Sequence, residues 1–175
     1  YLICENKTVG VCESLRLEKI YSPSMQRDVP FFILLPHKWN QSNSTFPVVM
    51  NFHANYNTFV RQSLVMSFGC YNEDFMMVFP DGDLNTYFSD SPIDPRIRFE
   101  TFITEELRTY LIDNYRAGND RKWALMGISS GGFGAFSNVM KHKDKFCAIA
   151  TVGAPFIIKD VADTGDDTYF KLRFG

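Results

Sequence analysis

The 175-residue sequence lacks the marks of several large protein classes. It has no cluster of lysine or arginine, and its formal net charge is -2, so the basic surface of a nucleic-acid-binding protein is missing. Its longest apolar runs have the length of strands, far short of the roughly 20 residues of a membrane-spanning helix. These absences predict a soluble protein without nucleic-acid or membrane partners, and they leave the choice between cytoplasm and secretion open.

Metal and cofactor motifs are also missing. The four cysteines, Cys4, Cys12, Cys70 and Cys147, form no C-x-x-C pair and have no companion histidine at zinc spacing. The phosphate-binding pattern G-x-x-x-x-G-K does not occur either. We therefore expect free thiols, no metal site and no cofactor.

What is present is an alternation of strand and helix patterns in a chain of single-domain size. With 45% apolar residues, residues 1–175 predict one domain with one core. The alternation predicts an α/β fold, with a mostly parallel sheet covered by helices on both faces. Strands are predicted at residues 11–22, 29–36, 46–53, 74–80, 121–128 and 145–155, and helices at 58–71, 94–116 and 130–142.

Two of the predicted helices have apolar stripes that indicate their buried faces. In the helix at 94–116 the stripe repeats at steps of three and four residues, which is the period of an α-helix. It consists of Phe99, Phe102, Ile103, Leu107, Tyr110, Leu111 and Tyr115. In the helix at 130–142 the predicted inward residues are Phe133, Phe136, Val139 and Met140.

The segment "GISSGGFGAF", from Gly127 to Phe136, follows a predicted strand and opens a predicted helix. In that context G-x-S-x-G is typical of a nucleophile elbow, in which Ser129 lies on a strained turn and glycines on both sides prevent collisions. The backbone N–H of Ser130 is then the expected first oxyanion donor, and the loop "HANYN" after the third strand supplies the second. The alternative is that the glycines only close a tight turn.

Four blocks in the same order give the chain a family resemblance. "FHANYNTF", "VFPDG" followed by "TYFSDSP", "FETFITEEL" and "GISSGGFGAF" resemble the tributyrin esterase and S-formylglutathione hydrolase group of α/β-hydrolases. This group is related to the feruloyl esterases and the antigen 85 mycolyltransferases, and the resemblance runs from about Val11 to about Pro155. It implies an eight-stranded sheet, a Ser–Asp–His triad and hydrolysis of carboxylic esters, often with short acyl groups.

The resemblance also implies site residues. Ser129 matches the nucleophile, Ser130 the oxyanion residue after it, and Asn55 the other oxyanion residue. The chain departs from the family where Ala54 replaces the usual glycine after the histidine, and where Thr86 stands at a position that is often tryptophan. The first departure bears on the oxyanion loop and makes Asn55 a weaker match than Ser129.

The general base of the triad is not identifiable. A serine hydroxyl needs a base within hydrogen-bond reach, and the sequence has three histidines. His142 alone follows Ser129, but it lies at the far end of the predicted helix, about 20 Å away. His53 is the better placed alternative, since its loop borders the same end of the sheet, but the resemblance implies a structural role for it in the oxyanion loop. His37 is predicted on a surface turn. Acids of the C-terminal segment, Asp160, Asp163, Asp166 and Asp167, follow the sixth strand, whereas the family's acid follows the seventh.

We therefore expect the N-terminal part of a longer α/β-hydrolase, whose last two strands, acid and base lie beyond Gly175 or on a second chain or another copy. In that case the sixth strand is a hydrophobic edge. The predicted function is a serine carboxylesterase that acts on short-chain or aromatic acyl esters through an acyl-enzyme. The alternatives are a non-catalytic module with the same fold and an acyltransferase of the antigen 85 type. The predicted pocket aromatics are Tyr56, Phe59, Tyr87 and Phe133.

Overall fold

The computed structural model describes residues 14–41, 43–70, 74–84, 86–119 and 122–156. Residues 11–13 of the first predicted strand lie outside these ranges. Each of the six predicted strands is found, with bounds that differ from the predicted ones by a few residues. The strands are β1 (Leu15–Ser22), β2 (Arg27–Leu34), β3 (Val48–Phe52), β4 (Met76–Pro80), β5 (Trp123–Ile128) and β6 (Ala148–Val152).

The strands form one mixed sheet in the order β1-β2-β4-β3-β5-β6. The pairs β1–β2 and β2–β4 are antiparallel, and the pairs β4–β3, β3–β5 and β5–β6 are parallel. Phe52 at the end of β3 lies opposite Gly127 of β5. Because parallel strands end at the same edge of a sheet, the loop after β3 and the turn after β5 meet at the carboxyl edge.

In the described ranges, a short 3-10 helix, Trp39–Gln41, and three longer helical stretches connect the strands. Helix α1 is Phe59–Cys70 and α3 is Ser130–Lys141. Between them, α2 consists of an α-helical start, Phe99–Thr101, a π-helical middle, Phe102–Leu107, and an α-helical end, Arg108–Asn114. None of the helices in the described ranges is both long enough and apolar enough to cross a membrane.

Helix α2 buries the apolar stripe that the sequence predicts. Phe99, Phe102, Ile103, Leu107 and Leu111 are fully buried in the main core cluster. The π-helical middle was not predicted, and it has a simple geometric role. A repeat of four residues overshoots the 3.6-residue turn of an α-helix, and the wider π turn takes up the excess, so that the stripe stays on one face.

In helix α3 the predicted inward face is partly wrong. Val139 is buried, but Phe136 and Met140 are 38% and 43% exposed. The face of α3 that lies on the sheet is made of small residues together with Asn138 and Val139; its buried members are Ser130, Gly131, Gly132, Gly134, Ala135, Asn138 and Val139. Large side chains on that face would hold the helix away from the sheet, so they lie on the flanks instead.

Both faces of the sheet are covered, as predicted. The main cluster combines strand residues such as Val29, Ile33 and Met50 with α2 and α3. A smaller cluster on Leu34, Met77 and Phe79 includes Phe59 and Met66 of α1. Along β6 the residues alternate between exposed and half-buried, and β6 is the outermost strand of the described sheet.

Candidate active site

Ser129 occupies the turn between β5 and α3 in a strained backbone conformation. Its φ is 53° and its ψ is -121°, a combination that a non-glycine residue adopts at a cost of about 1–3 kcal/mol. A serine at a helix N-cap normally accepts a hydrogen bond from the first turn, yet the Ser129 side chain makes no such bond. Its main chain is anchored instead, with its N–H 2.9 Å from the Val152 carbonyl oxygen and its own carbonyl accepting from Phe133 N–H at 3.0 Å. Ser129 is half-buried at the carboxyl edge.

The glycines beside Ser129 are required by close backbone contacts. A Cβ on Gly131 would lie 2.5 Å from the carbonyl oxygens of Phe52 and His53. A Cβ on Gly127 would collide with the Gly131 carbonyl group, and one on Gly134 with that of Tyr87. These neighbours are backbone atoms, which cannot rotate away, so the turn accepts only glycine at these positions.

The loop after β3 lies against the first residue of α3. Asn55 N–H donates a hydrogen bond to Ser130 Oγ at 2.7 Å. Ser130 is buried and Asn55 is half-buried, so two of the three predicted site residues are in direct contact beside the third. The N-terminus of α3, whose dipole favours negative charge, is directed at this point.

His53 anchors the oxyanion loop. Its Nδ1 donates to the Ala54 carbonyl oxygen at 3.0 Å, and its Nε2 accepts from Gly82 N–H at 3.0 Å. Burial lowers the pKa of His53, and burial also raises the pKa of Asp81, whose Oδ1 lies 3.9 Å from Nε2. The imidazole is therefore neutral with both nitrogens engaged, which agrees with the predicted structural role and leaves no lone pair to accept a proton from Ser129.

The segment after β4 forms a third wall of the site; the sequence predicted Tyr87 there but assigned no role to Phe88 or to Asn138. The Phe88 ring stacks on Phe52 at 4.1 Å and meets His53 edge-on at 5.2 Å. Asn138 of α3 donates to the Phe88 carbonyl oxygen at 2.9 Å, and Thr86 Oγ1 donates to the Gly82 carbonyl oxygen. One available signal was Asn138 itself, a polar residue one position before the predicted inward residue Val139.

Backbone strain is concentrated at this edge. Seven non-glycine residues in the described ranges have positive φ. Five of them lie in the loops after β3, β4 and β5: Tyr56, Asp83, Tyr87, Phe88 and Ser129. Strained residues persist only where the surrounding structure holds them in place, and they cluster at functional sites.

The other two histidines lie far from Ser129. His142 Nε2 is 2.9 Å from Glu100 Oε1 at the C-terminal end of α3, which is about 18 Å from its first residue. His37 follows β2, whose Leu34 pairs with Met77 near the start of β4. That is the amino edge of the parallel strands, about 20 Å from Ser129 along the length of β5.

The predicted pocket aromatics do not form one group. Tyr56 is 82% exposed, and Phe59 packs against Phe32 with ring centroids 5.6 Å apart, as part of the smaller core cluster. Tyr87 and Phe133 do meet, edge to face at 5.8 Å. A cavity of about 270 Å³ flanks the oxyanion loop; it is lined by Asn57, Thr58, Phe59, Val60, Asp81, Asp83 and Leu84.

The predicted acids of the C-terminal segment, Asp160, Asp163, Asp166 and Asp167, lie outside the described residues. In the described ranges no three histidine, cysteine or carboxylate side chains are grouped so that they could hold a metal ion.

Comparison with solved structures identifies the fold. A ferulic acid esterase superposes with a TM-score of 0.68 at 24% identity, and the match covers 80% of this chain and 59% of the esterase chain. An S-formylglutathione hydrolase from Agrobacterium tumefaciens gives 0.65 at 17% identity, covering 80% and 57%. The fluorophosphonate-binding serine hydrolase F of Staphylococcus aureus gives 0.75 at 14% identity, covering 91% and 64%. The sheet is that of an α/β-hydrolase, as predicted, and this chain spans about three fifths of the length of these proteins.

Comparison by sequence leads to the same group of proteins. No curated protein matches the chain. The family model "Esterase", described as "Putative esterase", matches residues 22–157, which include β2 to β6 and the loops after β3, β4 and β5. The predicted resemblance to the esterase group is confirmed, and the chain belongs to the Esterase family.

Proposed function

We propose that this chain carries the nucleophile and the oxyanion site of a serine carboxylesterase. Ser129 attacks the carbonyl carbon of an ester, and the negative oxygen that forms is stabilised where Ser130 and Asn55 meet. The general base takes the Ser129 proton and returns it to the leaving alcohol, and water then hydrolyses the acyl-enzyme and restores the Ser129 hydroxyl. The substrates proposed are esters of short or aromatic acyl groups, in keeping with the sequence resemblance.

One observation carries the proposal. Ser129 is held at φ 53° and ψ -121° at the start of a helix and makes no capping hydrogen bond with its side chain. A serine that only closed the turn would gain about 1 kcal/mol from capping the helix and would have no reason to keep the strain. A strained, uncapped and accessible hydroxyl at the N-terminus of a helix is the arrangement that a nucleophile requires.

The base and the acid of the triad are proposed to come from outside the described residues. The three histidines of the sequence are occupied or distant: His53 is bonded through both ring nitrogens, His142 pairs with Glu100, and His37 lies at the opposite edge. The base is therefore contributed by further polypeptide, either of the same gene product or of a second chain. Its approach is expected from the side of β6, where Val152 and Phe156 are 62% and 45% exposed.

The test is hydrolysis of p-nitrophenyl acetate and p-nitrophenyl butyrate by the whole gene product beside its Ser129→Ala variant. The proposal expects turnover in the parent protein and a loss of at least about 1000-fold in the variant, since the nucleophile is removed. A Ser137→Ala variant, which changes a serine on the same helix, is the matched control and keeps the parent rate.

The second candidate is a non-catalytic module with the same fold. It is favoured because His53 is bonded through both ring nitrogens, while His37 and His142 lie far from Ser129. It predicts no turnover in the parent protein and no difference between Ser129→Ala and Ser137→Ala. Turnover that survives in Ser129→Ala at the parent rate would contradict the esterase proposal as well.

A further inference from the structure

The Ser130 side chain has a place in the site that the family pattern does not assign. The residue after the nucleophile is expected to contribute its backbone N–H, with no part for its side chain. Here the side chain is 3% exposed and is directed at the oxyanion loop, where its Oγ lies 2.7 Å from the Asn55 nitrogen.

This hydrogen bond uses the second expected oxyanion donor. A backbone amide has one hydrogen, and its hydrogen bonds weaken steeply away from a linear arrangement. In the conformation described, the Asn55 N–H is directed at Ser130 Oγ. An Asn55 N–H held in this bond is not free to donate to an oxyanion that forms next to Ser129.

A hydroxyl that accepts a hydrogen bond still has its own proton to donate. In a chain of hydrogen bonds, each bond polarises the next, so accepting from Asn55 makes the Ser130 hydroxyl a stronger donor. The backbone N–H of the same residue is at the first turn of α3, where the N–H groups have no partner within the helix. One buried residue thus offers two donors beside the nucleophile.

We propose that the Ser130 hydroxyl is a catalytic residue that donates a hydrogen bond directly to the oxyanion, together with the Ser130 backbone N–H. Asn55 is then a positioning residue, since its N–H orients and polarises the hydroxyl without touching the oxyanion. This inference rests on the proposed esterase function. It requires no change in covalent bonding, because the hydroxyl keeps its proton throughout.

The change in rate on removal of the Ser130 hydroxyl distinguishes a hydrogen-bond donor from a group that only blocks the Asn55 amide. If the hydroxyl only blocked the Asn55 amide, its removal would free that amide, and the rate would stay the same or rise. If the hydroxyl is a donor, its removal leaves the oxyanion with one donor fewer. Loss of one oxyanion donor costs about 100-fold to 1000-fold in kcat.

The experiment measures kcat and KM for p-nitrophenyl butyrate in the whole gene product and in the Ser130→Ala, Ser130→Thr, Ser137→Ala and Ser129→Ala variants. We expect Ser130→Ala to lose about 100-fold in kcat with KM within about threefold, because the bond is made in the transition state. Ser130→Thr keeps the hydroxyl and is expected to stay within about tenfold of the parent. Ser137→Ala reports any effect of losing a serine from α3 and is expected to equal the parent.

A transition-state analogue gives a second reading that does not depend on turnover. An alkyl trifluoromethyl ketone forms a tetrahedral adduct with an activated serine and places an oxyanion in the hole. Its dissociation constant, measured by direct binding, is expected to rise in Ser130→Ala by about the factor by which kcat falls. Circular dichroism of each variant shows whether the protein is folded.

The outcomes distinguish the two levels of the proposal. No turnover in the parent, or equal turnover in the parent and Ser129→Ala, overturns the esterase function and this inference with it. A parent that depends on Ser129 while Ser130→Ala is as fast or faster overturns the inference alone. Equal losses in Ser130→Ala and Ser130→Thr also overturn it, since the loss would then not follow the hydroxyl.

Discussion

Helices α2 and α3 pack on the same sheet in opposite ways. Helix α2 buries large side chains, among them Phe99, Phe102 and Leu107, while α3 buries four small residues of its first two turns, Gly131, Gly132, Gly134 and Ala135. The first arrangement removes apolar surface from water, which stabilises the fold. The second brings the helix backbone close to the sheet and to the neighbouring loops. The difference separates a helix that builds the core from a helix that builds the site.

The largest effect is expected where α3 meets the sheet. Gly131→Ala introduces a Cβ at 2.5 Å from two backbone oxygens, and rigid backbone on both sides leaves no easy relaxation. We expect a loss of about 4 kcal/mol or more in the free energy of unfolding, together with loss of esterase activity. Urea denaturation measures the first and p-nitrophenyl butyrate hydrolysis the second.

The control for that substitution is Gly118→Ala. The Cβ of this variant meets Lys122 Cδ at 2.6 Å, which can rotate away, and the fixed Lys122 Cβ only at 3.0 Å. A loss in Gly131→Ala no larger than in Gly118→Ala would remove the argument that α3 depends on close backbone approach.

The next effect concerns the core helix. Leu107 of α2 is fully buried, so Leu107→Ala removes buried carbon atoms and leaves a cavity. We expect a loss of about 3 kcal/mol in the free energy of unfolding, while the turnover of the folded fraction stays near the parent value. If kcat of the folded fraction falls as much as in Gly131→Ala, the distinction between a core helix and a site helix is wrong.

A smaller, pH-dependent effect is expected from His53. Its pKa is lowered by burial, so the folded state binds a proton less readily than the unfolded state. Above the unfolded pKa of about 6.5 both states are neutral, and as the pH falls below it the unfolded state gains a proton that the folded state does not, so stability declines. The decline continues until the pH reaches the lowered pKa of the folded state.

The measurement is the melting temperature of the parent and of His53→Gln between pH 8 and pH 5. The parent is expected to lose stability towards pH 5 more steeply than His53→Gln, which has no group that titrates at this position. Asp81 is present in both proteins, so its titration cancels to first order. Parallel curves would show that the neutral imidazole does not hold the loop.

The smallest effect is expected on the outer face of α3. Met140 is 43% exposed, although its spacing predicted a buried residue. Met140→Ala should change the free energy of unfolding by no more than about 0.5 kcal/mol, against about 3 kcal/mol for the comparable truncation at Leu107. A loss of about 2 kcal/mol at Met140 in the whole gene product would mean that this face is covered there, and the assignment of α3 would need revision.

The sequence predictions succeeded for α2 and failed in part for α3, and the difference in packing explains why. Periodicity predicted α2 correctly because burial of large apolar residues governs its packing. It was wrong for Phe136 and Met140 because α3 is positioned by glycine contacts, which a hydrophobic pattern does not record. The glycines of "GISSGG" were the better guide there, and they predicted the strained turn at Ser129 from the shape of the motif.

The loops were predictable only in part. The resemblance implied Asn55 as a site residue, and the structure places it next to the Ser129 turn because the parallel strands β3 and β5 end at one edge. The resemblance could not show that Asn55 N–H is bonded to Ser130 Oγ or that Phe88 stacks on Phe52. Those contacts join residues that are far apart in sequence, and their geometry depends on the folded backbone.

The central claim is that Ser129 is an activated nucleophile, and covalent labelling tests it most directly. The whole gene product is treated with a fluorophosphonate, and the modified peptide is mapped by mass spectrometry beside the Ser129→Ala variant. The account predicts one adduct, on Ser129, that is absent from the variant and present in Ser137→Ala. An unmodified parent protein, or an adduct that persists in Ser129→Ala, would contradict it.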